Sequence, residues 1–131
     1  MKATELIQQY QSGAITAREL VEGVWPNVKE CDGPFVCTVY SCLDSTDLER
    51  SIQGLGNGNT LEVAWSSAAK YTIARLTEIR QVREEIGWVQ DCIDMSGITE
   101  PEKGIPEQRR ILAREQSALA ELSKGIRPEV L

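Results

Sequence analysis

Apolar residues recur every three or four positions over residues 59–97, at Leu61, Trp65, Ala69, Ile73, Leu76, Ile79, Val82, Ile86, Val89 and Ile93. Those steps place all ten side chains along one face of an α-helix. No proline interrupts the stretch, and its only internal glycine is Gly87. Asn59 followed by Glu62 has the form of a capping box, and Gly97 supplies a left-handed exit. At about 1.5 Å per residue, the helix would span roughly 50 Å. An apolar stripe of this length suits either a bundle core or a coiled seam between two copies.

The flanking segments also read as helical. Leu6, Ile7 and Tyr10 share a face of a first helix that stops at Gly13. Thr16 and Glu19 form a capping box for a second helix that buries Leu20, Val21, Val24 and Trp25 before Pro26 ends it, with residues 27–30 adding one more turn. The run from Ser12 to Val21, Ser-Gly-Ala-Ile-Thr-Ala-Arg-Glu-Leu-Val, resembles the opening hairpin of amidase-signature enzymes. The Gly/Ser-rich catalytic stretch of that family is missing, so the resemblance carries no activity with it. Residues 35–43 fit two patterns. Their Val, Thr, Tyr and Phe content suits a strand, while Phe35, Val36, Val39, Tyr40 and Leu43 would share a helical face. Asp32 as cap and Pro34 in the first turn favour helix, and a lone strand would have no partner. Asp44 to Thr46 then open a short helix through Leu48 and Ile52. The glycines at 54, 56 and 58 mark an interhelical loop, since no Lys-Ser/Thr pair follows them as a phosphate-binding loop requires. Pro106 and Glu107 open a last helix, with Ile111, Leu112, Ala118, Leu119 and Leu122 on one face, closing at Gly125. Folded back on the long helix, it would bring Arg109 and Arg110 near Asp94 and Asp91, Arg114 near Glu84 or Glu85, and Glu121 near Arg80.

The expected fold is therefore all-α, a helical bundle. It is a single domain in which a cluster of short helices (residues 1–58) packs on a long antiparallel helical hairpin (residues 59–131).

Charge narrows the range of functions. Twenty acidic against fourteen basic residues give a net charge of −6, unlike the basic face of a nucleic-acid binder and unsuited to anionic lipid. No apolar run is long enough to span a bilayer, and the first ten residues lack a signal-peptide core. A cytoplasmic protein with reduced cysteines is expected. There is no histidine among the 131 residues, which removes the commonest general base and metal ligand together. Cys31, Cys37, Cys42 and Cys92 lack the close ligand pairs of a zinc knuckle, and no histidine or cationic cluster activates a thiol. No catalytic residue, cofactor or metal site is therefore assigned.

What remains is surface recognition. Glu30, Asp32, Asp44, Asp47 and Glu49 form an acidic group in sequence, suited to solvent or to a basic partner. Trp25, Trp65 and Trp88 all lie on or beside apolar stripes, but Trp88 is off centre and is the candidate anchor for a partner. The expected function is a small acidic interaction or regulatory protein without catalytic activity, of an inhibitor or immunity type. Self-pairing through the long helix goes with it. The competing reading is an enzyme or small-molecule binder with a cavity among the helices.

Overall fold

The computed structural model describes residues 1–42, 52–99 and 105–131. Among these, helices α1 (Ala3–Gln11) and α2 (Ala17–Val24) are followed by strands β1 (Val28–Asp32), β2 (Cys37–Cys42) and β3 (Ile52–Gly58). Helices α3 (Leu61–Thr99) and α4 (Ile105–Ser123) complete the order. The strands form one antiparallel sheet in the order β1-β2-β3. The fold is mixed α/β, which corrects the all-α, helical-bundle expectation. The chain divides into two compact units, Met1–Leu76 with Gly125–Leu131, and Thr77–Lys124.

The first unit begins as its sequence suggests. Gly13 adopts a φ of 83° at the end of α1. The Thr16 hydroxyl accepts from the Glu19 N–H while the Glu19 carboxylate accepts from the Thr16 N–H, so two otherwise orphaned donors at the start of α2 are satisfied. Leu20, Val21, Val24 and Trp25 are fully buried.

Beyond Pro26 the structure departs from the helical reading. Asn27 takes a φ of 53°, a left-handed conformation that asparagine tolerates better than most residues. The chain turns into β1 rather than adding a helical turn. Residues 37–42 are strand, paired Val28↔Ser41 through Asp32↔Cys37 on one side and Cys37↔Gly58 through Cys42↔Ile52 on the other. Period two decides the matter: Cys37, Val39 and Ser41 are buried, while Thr38 and Tyr40 are half-buried. Phe35 and Val36, counted above on a helical face, lie in the exposed β1–β2 turn. Asp44 and the short helix expected after it lie mostly outside the described residues, and Ile52 opens a strand.

The glycines at 54, 56 and 58 belong to β3 instead of a loop, and two of them have a steric reason. A Cβ on Gly56 would stand 2.4 Å from the Ala68 nitrogen and 2.6 Å from the Ala64 oxygen of α3, and one on Gly58 would stand 2.4 Å from Val63 Cγ1. The strand lies so close to the helix backbone that no side chain fits between them. Between Val39↔Gly56 and Tyr40↔Gly54 the register shifts, and the extra residue of the bulge is the buried Leu55.

Helix α3 starts one residue later than the Asn59–Glu62 pair suggests. The Thr60 hydroxyl accepts from the Val63 N–H, and its carbonyl accepts from the Ala64 N–H. Residues 125–131 return to the first unit: Arg127 N–H donates to Val24 O, Ala3 N–H donates to Val130 O, and Ile126 and Val130 are buried.

In the second unit α3 continues through Gly97 to Thr99. Ile79 and Val89 are buried, and Val82, Ile86 and Ile93 are half-buried. On α4, Ile111, Leu112, Ala118, Leu119 and Leu122 are all half-buried, and Gly125 ends the turn after the helix with a φ of 82°. No helix of the described residues is long and apolar enough to cross a membrane.

Candidate functional site

Two features of the described residues stand apart from core packing, one in each unit. In the first unit, α2, β1 and α3 meet at Arg18, Glu30 and Trp65. The Arg18 guanidinium lies over the Trp65 ring at 5.0 Å and donates to Glu22 at 2.7 Å. The Trp65 indole donates to a Glu30 carboxylate oxygen at 2.7 Å, and Arg18 stands 3.8 Å from that same oxygen. The hydrogen bond to Glu22, then its charge, and to a lesser extent Glu30 raise the Arg18 pKa above its ordinary value. Glu30 is thus engaged in joining three elements.

Asp32 is engaged as well. Its carboxylate accepts from the Cys37 thiol at 3.1 Å, closing the β1–β2 hairpin at the last paired residues. That hydrogen bond, with burial and the carboxylate's charge added, pushes the Cys37 thiol above its ordinary pKa. Cys37 is held as a neutral donor, the opposite of what a nucleophile needs. Beyond the pair, the Gly33 N–H donates to Val36 O, and Phe35 is 93% exposed at the tip. A helix over residues 35–43 would put Phe35 on a shared apolar face; the Asp-Gly-Pro run just before it, a signal for either a turn or a helix start, here makes the turn.

A third cluster is purely internal. The Trp25 indole donates to the Thr72 hydroxyl at 3.0 Å, and that hydroxyl donates to Ala68 O at 2.7 Å. Tyr71 stacks on Trp25, accepts from Gln53 and Arg75, and has the Arg75 guanidinium over its ring. Every polar atom named there is satisfied, which suits a structural role.

In the second unit, Trp88 is 69% exposed and Met95 68% exposed. At about 100° per residue, Gln81, Glu84, Glu85, Trp88, Cys92 and Met95 lie on one flank of α3, centred about 130° round from the Ile79–Ile93 stripe. Gln81, Glu84, Glu85 and Trp88 line a shallow hollow open to solvent. Arg80 lies 3.9 Å from Glu84, its neighbour one turn on, with both side chains largely exposed.

The structure places Trp88 in one unit and Glu30 and Asp32 in the other; Asp44, Asp47 and Glu49 lie outside the described residues. Among the described residues, no three Cys, Asp or Glu side chains converge as a metal cage would require. All four cysteines are free thiols. No family model matches the chain, and neither the curated proteins nor the solved structures give a match.

Proposed function

We propose that this chain is a small acidic interaction protein that works by surface complementarity, with the outer face of α3 around Trp88 as its contact surface. The observation that carries this reading is the exposure of Trp88 and Met95, 69% and 68%, on a helix that buries Ile79 and Val89 of its apolar stripe elsewhere on its surface. A tryptophan gives up a large apolar area to water when it is not in contact, and exposed aromatic anchors are characteristic of binding hot spots. An open strip of this kind supports recognition of another protein over an enclosed ligand cavity. Glu84, Glu85 and Asp91 beside it suit a partner that brings basic groups. A cytoplasmic setting accords with the four free thiols.

A photoreactive residue placed at position 88 in living cells tests the reading against the same residue at the exposed position 90. Defined protein adducts are expected at 88 and not at 90. Equal labelling at both positions, or none at either, would count against the proposal.

A further inference from the structure

The first unit holds an arginine between one aromatic ring and two carboxylates. The Arg18 guanidinium lies over the Trp65 ring at 5.0 Å, donates to Glu22 at 2.7 Å and stands 3.8 Å from Glu30. Such a set suits this cation, because the flat and weakly hydrated guanidinium stacks on the ring while its N–H groups donate outward in a fixed fork. There the chain supplies both sides of the contact.

Among the described residues, the second unit has the same set with no cation over the ring. Trp88, Glu84 and Glu85 line the hollow on the flank of α3, with Gln81 beside them. Glu85 and Glu84 stand three and four residues before Trp88, the two spacings that bring helical side chains together. The indole therefore has a carboxylate to either side. The cations that stack on rings among the described residues are Arg18 on Trp65 and Arg75 on Tyr71. Arg80 reaches Glu84 at 3.9 Å, with the two side chains 66% and 73% exposed, a pair too open to water to hold Glu84 firmly. Glu85 and the Trp88 ring face solvent. Trp65 is 7% exposed where Trp88 is 69% exposed. The same residue types are closed by an internal arginine in one unit and stand open in the other.

We infer that the Trp88 hollow receives an arginine side chain of the partner protein, its guanidinium stacked on the indole and donating to Glu84 and Glu85. This rests on the interaction reading above and names what the partner must present. Met95, two turns further along the same side of the helix, takes an apolar neighbour of that arginine. The chain's net charge of −6 draws a basic segment toward the hollow before contact is made.

Heteronuclear NMR of the purified full chain provides the test, since each tryptophan gives its own indole N–H signal and W88F identifies that of Trp88. Hexa-arginine, hexa-lysine and hexa-glutamine are titrated in turn. The Trp88 indole signal should shift saturably with hexa-arginine, while those of the buried Trp25 and Trp65 stay in place. Hexa-lysine should bind at least about threefold more weakly, and hexa-glutamine should leave the signal unmoved. E84Q/E85Q changes two exposed side chains and should bind hexa-arginine at least about fivefold more weakly, with the amide spectrum of the first unit unchanged. A Trp88 signal that does not move, equal affinity for the arginine and lysine peptides, or an E84Q/E85Q variant that binds as well as wild type would each overturn the inference. Adducts at position 88 with a protein whose attached segment holds no arginine would leave the interaction reading standing and remove only the arginine.

Discussion

The two stretches of α3 show how differently one helix can be buried. Over residues 61–76, two adjoining lines are covered: Trp65, Ala69 and Leu76 on one, and Ala64, Ala68 and Thr72 on the other. The second line is made of small side chains because β3 presents Gly56 directly to the helix backbone. Over residues 77–95, only Ile79 and Val89 are buried, and one flank carries Trp88 and Met95 in the open. A regular helical stripe runs through both stretches. What separates them is the residues off the stripe, small and shielded in the first, charged or aromatic and exposed in the second.

Paired substitutions would break or sharpen that contrast. The largest difference is expected between the two tryptophans of the helix. Trp65→Ala should cost about 3–5 kcal/mol in urea unfolding, through the lost volume and the exposed end of the Glu30 and Arg18 contacts. Trp88→Ala, measured at concentrations that keep the chain monomeric, should stay within about 0.5 kcal/mol of wild type. Equal losses would mean that both stretches are core. The glycines come next. Gly56→Ala forces a backbone shift and should cost about 1–3 kcal/mol, whereas Gly87→Ala should stabilise the monomer by about 0.5–1 kcal/mol. Thermal melts of the dilute proteins would read both signs. The smallest effect is confined to the first unit. Because the folded Cys37 thiol titrates above its ordinary value, the unfolded chain loses that proton first. The thiol's contribution to stability should be fully present below about pH 9 and be lost as the pH rises further. Cys37→Ala should remove this component of the alkaline decline, and an identical pH profile in the variant would show that the Asp32 contact contributes nothing.

Much of the helical structure can be read directly from the chain. The Thr16–Glu19 capping box, the buried Leu20–Trp25 cluster, the α3 stripe and the exit at Gly125 all follow local rules, and local rules are what a single sequence displays. The sheet is harder to see, for three different reasons. Strand β1, Val-Lys-Glu-Cys-Asp, is an edge strand with charged side chains, the composition that discourages edge pairing and also hides the strand. Strand β2 does alternate, but Phe35 and Val36 just before it suggest a helical face that the turn then exposes. Strand β3 has period two written in glycine, at 54, 56 and 58, where hydrophobic patterning registers nothing. Its counterpart, Ala64 and Ala68 one turn apart on α3, is the hint that a backbone packs there. The exposure of Trp88 follows from its position off the stripe. That Glu30 and Asp32 are tied to Trp65 and Cys37 depends on pairings across 35 residues and across a hairpin, which no local pattern announces.

The return of residues 125–131 to the first unit has a consequence for the order of events during synthesis. A ribosome extending this chain makes residues 77–124 before the seven residues that cover the end of α2 and pair with Ala3. Throughout that interval the earlier unit lacks Ile126 and Val130, and part of its apolar surface stays uncovered on the nascent chain. Completion of the earlier unit therefore waits on residues 125–131, so a pause within residues 77–124 prolongs exposure to chaperones and proteases in a way that the finished protein's stability would not reveal.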